Sequence, residues 1–178
     1  MKKAFAALCV TTAMILSAGC GGGLSSEETK TAEALAAGWN GLDASPARKA
    51  QNECIAEDWV GTLGLETLEK AGVINASFVP TSTLLPDTMN SELATAYGNA
   101  MAHCFDLEVD RESLKSAWNV DDKRMDAFID CFGSVDRTLY AHAMRDMRIQ
   151  GNSGSQTKAM DDFYAVVREC KTKAHIDQ

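Results

Sequence analysis

Two stretches of this chain repeat each other, and the repeat constrains the fold more than any other feature. Glu33, Leu35, Trp39, Asn40 and Asp43 match Glu112, Leu114, Trp118, Asn119 and Asp122 at a common offset of 79. Two of the three tryptophans fall in register, each followed by Asn. A two-residue slip then brings Cys54 onto Cys131. At an offset of 66, Leu93, Ala94, Tyr97, Ala100, Met101 and Cys104 fall on Ala159, Met160, Phe163, Val166, Val167 and Cys170. Amphipathic helices share Ala and Leu patterns cheaply; Trp and Cys in register are harder to obtain by chance. Each half therefore reads as a Trp-Asn helix, a helix carrying a Cys, a variable segment and a helix ending in a Cys.

Local signals agree with helices throughout. Ser25 and Glu28 form a capping-box pattern. Ser45-Pro46 reads as an N-cap followed by an N1 proline. Ile55, Ala56, Trp59, Val60 and Leu63 recur at helical spacing, and Leu65 to Ala71 reads as a short helix stopped by Gly72. Helices are expected from Asp87 to about Phe105, from Arg111 to Trp118, and from Asp121 or Asp122 onward. That last helix is expected to run to about Ile149 with a bend near Gly133. Gln156 to about Lys173 completes the set. No stretch shows strand alternation bounded by hairpin turns. The expected fold is all-α: two degenerate helical repeats, about 30–108 and 109–176, packed on one core within a single domain spanning 27–176.

Val73 to Pro86 lacks helical periodicity yet carries Phe78, Val79, Leu84 and Leu85. Leaving those four side chains in water forgoes about 1.5–3 kcal/mol each. The segment is expected to fold down as a strap, covering a cleft between the halves, with Phe78, Leu84 and Leu85 as candidate ligand contacts.

The N-terminus carries an address. Lys2 and Lys3 precede an apolar run from Ala4 to Leu16, and small residues lead to Cys20, the pattern of a secretory leader. Leu16-Ser17-Ala18-Gly19-Cys20 resembles the lipobox of bacterial lipoproteins, with Ser17 in the slot where Leu is favoured. The resemblance implies a leader over 1–19, a lipid on Cys20, and a flexible tether over 20–26 that includes Gly21-Gly22-Gly23. It also implies an extracytoplasmic location, with the outer membrane favoured where one exists because residue 21 is not Asp. Two or three acyl chains hold firmly, at about 0.8 kcal/mol per buried CH₂.

The run Cys54-Ile55-Ala56-Glu57-Asp58-Trp59-Val60, followed by Leu63-Gly64-Leu65-Glu66-Thr67-Leu68-Glu69-Lys70-Ala71-Gly72-Val73, resembles a group of exported actinobacterial proteins. Those proteins carry helical repeats with one Cys per key helix. The likeness covers about 45–170 and implies a habitat without implying an activity.

Six cysteines are present. Cys9 leaves with the leader and Cys20 takes the lipid, so four remain in an exported chain, an even number that reads as two disulfides. The repeat selects Cys54–Cys104 and Cys131–Cys170 among three pairings, and both bonds are expected to be largely buried. A metal site built on His103 beside Cys104 is the alternative; the chain has no CxxC pair of the kind that structural zinc sites usually show. No metal or other cofactor is therefore expected.

Other constellations carry little chemistry. Asp106, Glu108 and Asp110 have the 1-3-5 spacing of a calcium loop, but Arg111 replaces the required Gly and Ala117 the closing Glu. There is no GxSxG, HExxH or Walker loop. Trp39 and Trp118 are expected in the core rather than stacked on a ligand. The charge balance of 17 basic against 25 acidic residues, net −8, argues against nucleic acid as a partner. Three functions compete: a non-enzymatic interaction or scaffolding module of the cell envelope, which is preferred; a small-molecule binding lipoprotein using the strap-covered cleft; and an enzyme with Glu57, Asp58 or His103 as acid or base.

Overall fold

Helix caps written into the sequence set the boundaries of most elements. The computed structural model describes residues 23–151 and 155–176, so the leader, Cys20 and the first residues of the tether, 20–22, lie outside the described residues. Helix α1 spans Ser26–Asn40 and opens on the expected capping box, with the Ser25 hydroxyl accepting from the Glu28 amide and the Glu28 carboxylate accepting from the Ser25 amide. Helix α2, Pro46–Lys70, starts at the Ser45 cap with Pro46 in its first turn. It kinks at Gly64, whose φ of 72° is left-handed, a conformation glycine adopts without a Cβ penalty. The short helix expected from Leu65 is thus the tail of α2 beyond that kink.

Helix α3 is Ser91–Cys104, four residues shorter at its start than expected, because Asn90 caps it by accepting from the Leu93 amide at 3.0 Å. A 3₁₀ turn over Leu107–Asp110 leads into α4, Arg111–Trp118. Helix α5 is Asp122–Gly133, capped by Asp121. The chain then breaks instead of bending: Asp136 caps a new helix, α6, Arg137–Gln150, by accepting from the Thr138 amide at 2.8 Å. Helix α7 is Lys158–Lys173, capped by Thr157. Among the described residues there is no strand, only an isolated bridge between Ile74 and Pro80.

The fold is all-α, and the two disulfides join Cys54 to Cys104 and Cys131 to Cys170, with Cα separations of 5.7 and 5.5 Å. The first ties α2 to α3 and the second ties α5 to α7, the equivalent helices of the two halves. Burial differs from expectation. Cys170 is 1% exposed, whereas Cys54, Cys104 and Cys131 are half-buried. These three sit at the edges of the apolar stripes and not at their centres.

The core runs in three joined parts. Helices α1, α2 and α3 enclose Leu35, Ile55, Trp59, Val60, Leu68 and Leu93. Helices α4, α5 and α7 enclose Met125, Phe128 and Cys170 with Trp118 alongside. Tyr140, Ala143 and Phe163 form the bridge, joined to the first part through Met101 and to the second through Phe132 and Val167. Helix α6 has no counterpart in the first half. It packs along α3, the most extensive helix contact among the described residues, so the second half contributes a helix to the first half's core.

Candidate functional site

The strap occupies, in the first half, the interval that α6 fills in the second. It is organised by its own polar groups. The Asn75 carboxamide oxygen accepts from the amides of Ser77 and Val79. The Thr81 hydroxyl donates to the Gly72 carbonyl at 2.7 Å. Thr31, 2% exposed on α1, donates its hydroxyl to the Phe78 carbonyl at 3.1 Å and pins the strap to the helix below. Near the other end the Thr83 backbone lies so close to Gly38 that a Cβ there would meet the Thr83 Cα at 3.2 Å. The absence of a side chain at 38 is what lets the strap lie down on α1.

Between strap and helices is a cleft of about 380 Å³, lined by Leu35, Trp39 and Trp59 on the helices and by Val73, Leu84 and Leu85 on the strap. Asp87 is the charged residue in its lining. Trp39 and Trp59 stand with ring centroids 6.0 Å apart and planes at 47°. Trp59 is fully buried and its indole N–H donates to the Leu93 carbonyl at 3.1 Å, which locks the ring. The floor is therefore rigid and aromatic.

The structure divides the four apolar strap residues. Phe78 and Leu85 pack against the core. Val79 is 53% and Leu84 74% exposed, which corrects the expectation that the strap buries all four. The reason is geometric: the anchors at residues 31 and 38 fix the strap backbone on α1, and Val79 and Leu84 then line surface hollows beside that helix instead of entering the core. A second correction concerns position. The cleft covered by the strap lies within the first half, not between the halves. A smaller cavity of about 170 Å³ sits nearer their junction, lined in part by Phe105, Phe132 and Tyr140. There, burial pushes the Tyr140 phenol up from its ordinary value.

Trp39 and Trp118 both pack against core residues, as expected, but Trp39 also lines the cleft. Their neighbours differ in role. The Asn40 carboxamide oxygen accepts from Asn52 at 2.9 Å, whereas Asn119 ends α4 in the left-handed region with φ 52°.

The candidate acid–base residues separate. Glu57 is exposed on α2. Asp58 and His103 meet, Oδ2 to Nδ1 at 3.2 Å, with the His103 side chain 75% exposed. The pair flanks the Cys54–Cys104 disulfide. This meeting was deducible: Asp58 lies one helical turn beyond Cys54 and His103 adjoins Cys104, so the disulfide implies the pair. Clear displacements of titration belong mainly to surface ion pairs. Lys70 holds the Glu66 carboxyl low, and Lys115 holds Asp122 low. Glu108 and Asp126 hold the Arg111 guanidinium further up.

No helix among the described residues is long and apolar enough to cross a membrane. Comparison with family models finds no match, and comparisons with curated proteins and with solved structures find none.

Proposed function

We propose that this chain is a membrane-anchored extracytoplasmic lipoprotein, attached through lipid on Cys20, whose helical body is a non-enzymatic interaction module of the cell envelope. The leader ending in Ala18-Gly19-Cys20 supports the anchor. The two disulfides support an oxidising compartment. Only five residues separate Cys20 from α1. At no more than about 3.6 Å per residue, the start of α1 is held within about 20 Å of the lipidated residue.

The observation that carries the interaction reading is Leu84, a large apolar side chain 74% exposed on the rim of a cleft floored by two indoles. An exposed apolar rim beside a rigid aromatic floor suits the insertion of a partner's apolar side chain. A second reading, a small apolar ligand in the same cleft, is favoured by its volume, which falls within the range of small-molecule sites.

Photo-crosslinking in intact cells tests both readings. A photoreactive residue at Leu84 should give a discrete adduct that the same residue at the exposed position Lys123 does not. A protein-sized adduct supports the module, and a mass shift of a few hundred daltons supports the ligand. Identical labelling from both positions refutes the cleft as the binding face. Fatty-acid labelling that persists in Cys20→Ser refutes the anchor.

A further inference from the structure

The two disulfides are equivalent as staples but not in their surroundings. At the position equivalent to His103 the second half has Glu169, engaged with Lys173 at 2.7 Å. At the position equivalent to Asp58 it has Val135. Cys170 is sealed at 1% exposure, while Cys54 and Cys104 are half-buried beside an exposed imidazole. A staple needs neither histidine nor aspartate, so stapling does not account for the first half's additions.

The ligand atoms of Cys54, His103 and Cys104 lie within 4.8 Å of one another, the one such trio among the described residues. We propose that the Cys54–Cys104 disulfide masks a redox-gated site for a zinc-class divalent cation, formed by the Cys54 and Cys104 thiolates with the His103 imidazole. In a tetrahedral site with Zn–S of about 2.3 Å and Zn–N of about 2.0 Å, ligand atoms stand roughly 3.5–3.8 Å apart. Once the sulfur–sulfur bond is cut, side-chain rotation brings the trio to that spacing while α2 and α3 stay in place. The lack of a CxxC motif is no obstacle, because two packed helices converge the cysteines that a knuckle otherwise supplies.

Asp58 completes the logic. Its carboxylate beside Nδ1 selects the tautomer with the proton on Nδ1 and leaves the Nε2 lone pair for the metal, the usual role of a carboxylate behind a ligating histidine. Three protein ligands leave the fourth position to water, so the ion stays open to exchange.

The chemistry balances with an extracytoplasmic dithiol as reductant. The dithiol gives two electrons and two protons to the Cys54 and Cys104 sulfurs and becomes a disulfide itself. Metal binding then displaces one proton from each new thiol. In the oxidised protein no thiolate is present and the site does not exist. Cys131–Cys170, with Cys170 sealed, is expected to resist the same reductant.

Cobalt(II) is the probe. The full chain, purified in detergent and treated anaerobically with a phosphine reductant, is desalted and titrated with Co²⁺. The untreated chain carries any Cys9 or Cys20 thiol equally and serves as the blank. The reduced chain should bind one equivalent with thiolate-to-cobalt charge-transfer bands and tetrahedral d–d bands, which Zn²⁺ then bleaches. Asp58→Asn should weaken binding about 10–100-fold, and His103→Ala should abolish the tetrahedral spectrum. Zn²⁺ should protect Cys54 and Cys104 from alkylation mapped by mass spectrometry, while Cys131 and Cys170, still joined, stay unalkylated with or without the metal. Absence of thiolate bands, bands unchanged by His103→Ala, or Zn²⁺-dependent protection of Cys131 and Cys170 instead would each overturn the proposal. So would a loss of helical circular dichroism on reduction that metal fails to restore, since the site requires α2 and α3 held together.

Discussion

Replacing Gly98 with alanine sets two physical effects against each other. Gly98 is a buried residue in the middle of α3, where alanine alone would favour the helix by about 1 kcal/mol. The structure places α6 against it. A Cβ at 98 would meet the Ala141 carbonyl oxygen at 2.4 Å and the Arg145 amide nitrogen at 3.1 Å. Both are backbone atoms and cannot rotate away. Restoring ordinary contact at 3.4 Å requires α6 to retreat by about 1 Å. That retreat loosens the neighbouring Tyr97–Arg148 contact, whose guanidinium carbon stands 4.9 Å from the ring centroid. It also pulls on the Met89 amide, which donates to the Arg148 carbonyl at 2.9 Å. Overpacking a close interface costs about 1–3 kcal/mol, and a backbone-to-backbone clash belongs at the upper end. Set against the helix gain, the net loss is about 2 kcal/mol, or about 4–8 °C in Tm for a chain of this size. Urea unfolding followed by circular dichroism measures it. Gly133→Ala is the control, because a Cβ there meets nothing within 4 Å; it should be neutral or gain up to about 1 kcal/mol. A Gly98→Ala protein as stable as wild type would refute this close packing of α3 on α6.

Three further predictions rest on other parts of the molecule. Non-reducing peptide mapping should recover Cys54–Cys104 and Cys131–Cys170, and replacing either pair with serine should cost about 4 kcal/mol by the loop-entropy relation for loops of 50 and 39 residues. Phe78→Ala should cost about 1–2 kcal/mol, as befits a half-buried side chain, while Leu84→Ala should stay within about 0.5; equal losses would mean that the strap is not anchored on one side. Burial would raise the Asp146 carboxyl, but the Thr157 hydroxyl and the Arg145 guanidinium outweigh it and hold the group below its usual value. The stability it contributes is therefore present above the ordinary aspartate value and is lost as pH falls through the lower folded-state value, so Asp146→Asn should cost about 1–3 kcal/mol at pH 7 and its deficit should shrink below about pH 4, as followed by urea midpoints.

Local signals were legible where a single turn of chain decides the outcome. Ser25 with Glu28, Ser45-Pro46 and Asp121 each cap the helix expected of them, because a cap depends on three or four neighbouring residues. The α5–α6 break was not legible for a related reason. Phe128, Phe132, Val135 and Leu139 keep apolar spacing of three or four across it, so periodicity reads straight through. The break is made by Asp136 taking a capping role that competes with helix continuation. The disulfide pairing was legible because it follows from register between distant segments. The cleft was not: Trp39, Trp59 and Leu84 come together only through the crossing of α1 with α2 and the anchoring of the strap at Thr31 and Gly38, and no spacing along the chain encodes that meeting.

The repeat boundary near residue 109 is consequently not a folding boundary. Helices α1, α2 and α3 have equivalents in α4, α5 and α7, and each trio carries its own disulfide. The largest interface among the described residues nonetheless runs between α3 of one half and α6 of the other. Residues buried on α3, among them Ala94, Tyr97 and Gly98, divide their contacts between α2 on their own side and α6 from across. Gly98 has meaning only against α6. Helix α7, which is equivalent to α3, receives no such partner from the first half, where the interval is occupied by the strap. The asymmetry thus concentrates on one object. The segment that is a packed helix in the second half secures the junction, and the strap in the first half leaves Trp39 partly open to solvent beside Leu84, over the buried Trp59. A chain in which both intervals were helical would have more core and no cleft.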